Sequence, residues 1–354
     1  GINSWLLEIQ SPGAKAIGFK FDQFNLPQGA ELFIYPSNGE LFQGSFTTQN
    51  HTPDGKFSIQ PVKSDRVILE LNIYEESQEN AVIHIKDIIH DFTDIMAYYS
   101  DETVQDRNDC NLNVACPESV GWENQINAVV RLDMGGGLCS ASLINNTGND
   151  LTPYVLTANH CISGSPSYYT FNFNYQTTYC NGTSGSTSQS MSGSLLRASG
   201  SGPDFALLEL NSSVPDNYNP FFNGWNVGNA APDNPTGVHH PGAEIKKISF
   251  TDDYVSSSWD GNYWEFQFDP GRVIPGSSGS PLFDQNQRTV GIASYIYTDY
   301  CYEYNCYCDQ QYDAGYGRVD QAWDWGSNSA SRLSDWLDPI NSGVTALDGI
   351  DING

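Results

Sequence analysis

All eight cysteines of this 354-residue chain lie between Cys110 and Cys308, and the first 109 residues contain none. One part of the chain must therefore hold itself together by burial and hydrogen bonding alone, while the other has covalent cross-links within reach. The cysteines are Cys110, Cys116, Cys139, Cys161, Cys180, Cys301, Cys306 and Cys308. Their even number, in a chain poor in Lys and rich in Asn, Ser, Gly and Tyr, favours disulfides, and disulfides imply an extracellular setting. Zinc is the rival reading. It fails on spacing, because Cys306 and Cys308 are separated by a single residue and no C-x2-C pair accompanies them. No metal and no cofactor is expected. The chain opens without a charged and apolar leader, so an exported protein would have shed its signal peptide.

Charge excludes other classes of partner. Acidic residues number 42 against 15 basic ones, a formal net charge of −27. Nucleic acid and anionic membrane surfaces both need the opposite sign. No apolar run is long enough to span a bilayer. Apolar residues at 39% and aromatics at 13% support a packed core. The self-repelling surface suits a monomer.

Residues 1–100 read as short alternating strands, among them 16–21, 31–35, 66–71 and 81–85, punctuated by turns such as Pro36-Ser37-Asn38-Gly39 and Pro53-Asp54-Gly55. A small antiparallel β-sandwich is expected there. His51, His84 and His90 carry no motif and read as surface or edge residues. Residues 101–109 are polar and charged, an exposed linker of the kind that proteases cut. From 110 to 354 the chain is again strand-rich. Residues 183–202 read as a flexible ribbon, and one helix is expected over 331–337, stopped by Pro339.

Three segments of the second region carry complementary chemistry. Leu156-Thr157-Ala158-Asn159-His160-Cys161 offers an imidazole after an apolar strand. Asp204 stands at the mouth of the apolar strand Phe205–Leu210. Pro275-Gly276-Ser277-Ser278-Gly279-Ser280-Pro281 is a tight Gly/Ser turn leading into another. Each alone is weak. Together they supply a hydroxyl that needs a base, an imidazole that can be one, and a carboxylate to fix the imidazole's tautomer. A Gly-x-Ser turn can also aim two backbone N–H groups at a developing oxyanion.

The chain order His, Asp, Ser, with TANHC, DFALLEL and GSSGSP around them, resembles the chymotrypsin-like serine peptidases, and among these the bacterial lysyl endopeptidase family. Residues 110–117, 172–176, 237–241, 316–319 and 332–339 extend the resemblance, which covers about residues 109–350. It implies an all-β fold, a double six-stranded β-barrel following the sandwich, with the site in the cleft between barrels. It implies a secreted bacterial endopeptidase acting on peptide or protein substrates. Ser278 would be the nucleophile, His160 the general base and Asp204 its orienting acid, with the N–H groups of Gly276 and Ser278 as the oxyanion hole. Ser277, adjacent and equally polar, is the decoy, and His239 and His240 fall outside the triad. The resemblance also pairs Cys139 with Cys161 and Cys116 with Cys180, and sends Cys110 to the Cys301, Cys306, Cys308 cluster.

The pattern breaks at the substrate pocket. A lysyl endopeptidase needs an acid there, and the two family positions hold Ile274 and Ala314 in this chain; Asp313 is one residue off. Arg272 aligns near the pocket floor. Ser294, Tyr295 and Ile296 resemble the substrate-pairing strand, with bulk where relatives carry glycines. The P1 preference stays open among lysine, acidic and small residues. The aspartate that pairs with a new amino terminus in trypsin-like zymogens is replaced by Ser277. Residues 1–108 resemble the pro-region of exported peptidases, expected to fold with the catalytic domain, cover its cleft and be released by cutting between about Ser100 and Asp109. The rival to an enzyme is a silent binding or adhesion module on a peptidase scaffold.

Overall fold

The computed structural model describes residues 1–39, 43–74, 80–92, 110–296 and 313–353. The first region is a sandwich of two antiparallel sheets. One runs in the order Ile2–Gln10, Arg66–Tyr74, Ala30–Pro36, Gln43–Phe46, and the other Phe57–Ser58, Ala16–Asn25, Val82–Asp91. In Ala30–Pro36 every second residue is buried, which puts Leu32 and Ile34 inside against Phe19, Phe21, Phe24 and Val67. Strand Ile2–Gln10 lacks this alternation. Trp5, Leu6 and Leu7 are all exposed, and register pairing with Arg66–Tyr74 holds the strand in place.

The next sheet carries, in order, Ser190–Ser192, Thr170–Phe173, Val129–Asp133, Leu138–Leu143, Tyr154–Thr157, Phe205–Leu210 and Ser194–Gly200. Its two end strands are consecutive in sequence, separated only by Gly193 at φ +82°. They are one strand bent sharply at a residue that tolerates the left-handed region. The seven segments thus close into a six-stranded barrel around Phe171, Phe173, Leu207 and Leu208. The second half of the expected 183–202 ribbon is accordingly strand, over residues 190–200, while 183–188 carry no regular structure. Serines and glycines hide the strand pattern, but the neighbours Thr170–Phe173 and Phe205–Leu210 supply pairing partners on both sides of the bend.

A second barrel runs Tyr263–Phe266, Ala314–Arg318, Thr289–Ile296, Pro281–Phe283, Thr236–His239, Lys247–Phe250. It closes where Phe250 donates to Pro270 O at 3.1 Å and accepts from Asp269 N at 2.9 Å. Trp264, Phe266, Phe268 and Tyr316 fill it. The late helix is shorter than expected, Ser334–Leu337, after a single turn at Ser329–Ser331. No helix among the described residues is long and apolar enough to cross a membrane.

That late turn is pinned to the first barrel. Thr147 N donates to Leu337 O at 2.9 Å, and its hydroxyl to Asp338 at 2.7 Å. Ser342 N, Ser342 Oγ and Gly343 N also donate to the Asp338 carboxylate. Burial opposes ionisation there, but the Gly343 N–H, the Thr147 hydroxyl and both Ser342 donors outweigh it and hold the carboxyl down at about 2.

Two outcomes follow. Asp338 ionises more readily in the folded chain than unfolded, so its contribution to stability is fully present above about pH 4 and is lost as pH falls through about 2. The gap in urea midpoint between wild type and Asp338→Asn should close over that window. At Gly193 a β-carbon would run into the Asn211 amide at a positive φ. Gly193→Ala should lower stability by about 1–3 kcal/mol, read from the same midpoints.

Candidate active site

Asp204 ends the turn before strand Phe205–Leu210 and sits in the left-handed region at φ +50°, a strained conformation that Asp tolerates better than most residues. The residue is 6% exposed. Its Oδ1 accepts the backbone N–H of His160 at 2.9 Å, and its Oδ2 meets His160 Nδ1 at 2.7 Å. The Ser294 hydroxyl donates to the same Oδ2. With both carboxylate oxygens accepting, Nδ1 carries the imidazole proton and Nε2 keeps a lone pair. The His160 side chain is 44% exposed, so that lone pair has access. Cys161, in the same short turn, is tied to Cys139 on the neighbouring strand. The two sulfurs and His160 lie within 4.8 Å, but bonded to each other they offer no thiolate to a metal.

The Ser278 turn is shaped by glycine. Gly276 has φ +97°, and a β-carbon there would collide with Ala243 N. Ser277 N donates to Ile274 O at 2.9 Å, Gly279 N to Ala293 O at 2.8 Å and Ser280 N to Ser277 O at 3.0 Å. Among the described residues the N–H groups of Gly276 and Ser278 donate to nothing. The turn is gripped from the first barrel by Ser140, whose N–H donates to Ser278 O at 2.7 Å and whose hydroxyl donates to Gly276 O at 2.9 Å. Gly279 is seated against Thr157 and Ala158, so close that no β-carbon would fit. Ala158 stands two residues before His160, so this contact brings the half-buried Ser278 turn against the end of the strand that leads to the imidazole. Among the described residues the Ser278 hydroxyl makes no hydrogen bond, as is common before substrate tightens a site.

Ser277 differs sharply from its neighbour. It is fully buried, and its hydroxyl meets His239 Nδ1 at 2.8 Å. His239 and His240 are both fully buried. His240 stacks on Tyr175, which the Arg131 guanidinium covers at 4.1 Å, and its N–H donates to Ser140 Oγ.

The pocket residues scatter. Arg272 is 6% exposed, and its N–H donates to Asn111 Oδ1. Ile274 N donates to Ser277 Oγ at 3.3 Å. Ser294 turns to Asp204. Tyr295 lies over Gly315 and donates to Glu265 at 2.7 Å, whereas Ile296 packs on the second-barrel core. Asp313 is exposed and accepts from Gln267 Nε2 at 2.7 Å, while its neighbour Ala314 joins the core. Sequence reasoning missed Ser140 and the roles of Ser294 and His239. The one available signal was the adjacent pair His239-His240 at the end of strand Thr236–His239.

The sandwich contacts the first barrel at Tyr168, Thr170 and Ser192. Ser58 is its anchor: its N–H donates to Ser192 Oγ and its hydroxyl to Tyr168 O at 2.7 Å. Lys20, Lys56 and Lys86 place their ammonium groups 5.6–5.9 Å from the centre of the Tyr168 ring, within cation–π reach. With the sandwich in place the His160 side chain is still 44% exposed.

Two closed β-barrels, with an Asp-His pair from one facing a Gly-Ser turn of the other, define a chymotrypsin-like serine peptidase fold. A sequence model described as lysyl endopeptidase, C-terminal domain, matches residues 104–296, and the chain belongs to that family. A lysyl endopeptidase of Pseudomonas aeruginosa is 28% identical over 196 residues, an alignment spanning 49% of this chain and 41% of that protein. Among solved structures, a Glu endopeptidase is similar at 18% identity and a TM-score of 0.39, covering 58% of this chain and 87% of that one. The thermostable serine protease AL20 from an extremophilic microorganism is similar at 15% identity and a TM-score of 0.38, covering 55% and 92%.

Disulfides join Cys116 to Cys180 and Cys139 to Cys161. Cys110 is disulfide-bonded too, and the expected roles of Cys301, Cys306 and Cys308 lie outside the described residues. Peptide mapping without reductant should return the Cys116–Cys180 and Cys139–Cys161 linked fragments.

Proposed function

We propose that the chain is a secreted serine endopeptidase working through an acyl-enzyme on Ser278. The observation that carries this reading is the buried Asp204 holding both His160 N–H groups, opposite a turn with two uncommitted backbone donors. The Ser278 hydroxyl passes its proton to His160 Nε2 as Oγ attacks the substrate carbonyl. The resulting oxyanion takes the N–H groups of Gly276 and Ser278. His160 then returns the proton to the leaving amine. Water repeats the sequence on the ester, while Asp204 stabilises the imidazolium throughout.

Ile274 and Ala314 put apolar side chains where a lysine-selecting pocket has acids, and Asp313 is engaged by Gln267. The reading therefore assigns endopeptidase chemistry and leaves P1 open among lysine, acidic and small residues, which profiling products from a mixed peptide library would rank. The sandwich is read as a pro-region docked through Ser58 and the Tyr168 lysines. Its cut, placed between Ser100 and Asp109, falls outside the described residues. Sequencing the new amino terminus after incubation would locate that cut, and a persistently uncut, fully active chain would end the pro-region reading.

Phenylmethylsulfonyl fluoride should label Ser278, and Ser278→Ala should lower kcat/KM by about 10⁴-fold or more. Because a protonated imidazole cannot accept, the rate should also drop on acidification. Hydrolysis that survives in Ser278→Ala would overturn the assignment to Ser278, and a wild type that cleaves no peptide would leave the rival reading, a binding module on this scaffold.

A further inference from the structure

Behind the Ser278 turn runs a buried file of polar groups that the catalytic proposal does not use. Ser277 Oγ lies 2.8 Å from His239 Nδ1, His239 Nε2 lies 2.9 Å from Ser249 Oγ, and Ser249 Oγ donates to Asn111 Oδ1 at 3.0 Å. Asn111 Oδ1 also accepts the N–H of Arg272 at 2.9 Å, which fixes the orientation of its amide. All four residues are at most 5% exposed.

Proton counting gives the file one direction. The single Ser249 hydroxyl proton goes to Asn111, so Ser249 Oγ must accept from His239 Nε2–H. His239 Nδ1 then holds a lone pair and accepts the Ser277 hydroxyl proton. Ser277 Oγ in turn accepts from Ile274 N at 3.3 Å. Every bond is satisfied by one neutral tautomer. Burial, and after it the Lys247 charge, push His239 down to about 3, in keeping with a neutral ring.

We propose that the Ser277–His239–Ser249–Asn111 file locks the Pro275–Ser278 turn in the conformation that keeps the Gly276 and Ser278 N–H groups free to bind an oxyanion. It occupies the place where trypsin-like zymogens use an ion pair between an aspartate and a newly cut amino terminus. Here the residue is Ser277, the partner is an internal imidazole, and the far end is Asn111, at the start of the peptidase region. The lock is closed while the sandwich is still attached, so ordering of this turn does not wait for a cut. His239 is a positioning residue, acting through Ser277 on a turn it does not itself complete. The inference rests on the serine endopeptidase reading above.

The test uses the full chain, with wild type and Ser278→Ala assayed alongside Ser277→Ala, His239→Phe, Ser277→Thr and the double variant Ser277→Ala/His239→Phe. Oxyanion donors act mainly in the transition state, so Ser277→Ala and His239→Phe should each lower kcat about 10–100-fold with KM within about threefold. Ser277→Thr keeps the hydroxyl and should retain most of the rate. The double variant should be no worse than the poorer single one. Folded variants with wild-type kcat would overturn the proposal while leaving the peptidase reading intact; a wild type with no hydrolysis at all would sink that reading first. Should the variants fail to fold, side-chain ¹⁵N NMR of His239 in Ser278→Ala decides: a ring protonated only on Nε2 is expected, and one protonated on Nδ1 overturns the lock.

Discussion

Ser140 belongs to the first barrel, yet its N–H and its hydroxyl are both spent on the second, on the carbonyls of Ser278 and Gly276. Each such bond contributes only about 0.5–1.5 kcal/mol, but an unpaired carbonyl in that dry seam would cost about 1–3 kcal/mol. The geometry of the cleft depends on this grip. It draws the Gly-Ser turn against Thr157 and Ala158, and the same strand end carries His160 two residues further on. Asp204 then fixes the imidazole from a third direction. Serine, histidine and aspartate come from three distant stretches, and their relative placement is set by backbone bonds more than by contacts between the three side chains.

The sandwich adds a different kind of contact. It touches Tyr168, in the connection that follows His160 and Cys161, and Thr170 and Ser192 on the paired barrel strands beyond it. Three lysines from a chain with only 15 basic residues gather around one phenol ring. A strongly acidic molecule thus gathers three of its 15 basic residues on one internal contact.

Much of this was legible in the sequence where chemistry is local. TANHC, DFALLEL and GSSGSP mark the three site stretches because each bundles a reactive group with the turn or strand that presents it. The sandwich strands of the first region show in their alternation, as in Ala30–Pro36. Strand Ile2–Gln10 does not show, because both its faces are exposed and no periodicity results. The barrel strand on either side of Gly193 is hidden for a different reason: serine and glycine suit a bend but look like a loop. His239 was visible and still unreadable, since a buried imidazole takes its meaning from partners 38 residues downstream, 10 downstream and, through Ser249, from Asn111, which lies 138 residues before that serine.

The contact through Ser58 and Tyr168 has one more consequence. The hydroxyls and ammonium groups of this contact are content in water, so parting the two bodies would leave these groups ready to hydrate rather than stranded.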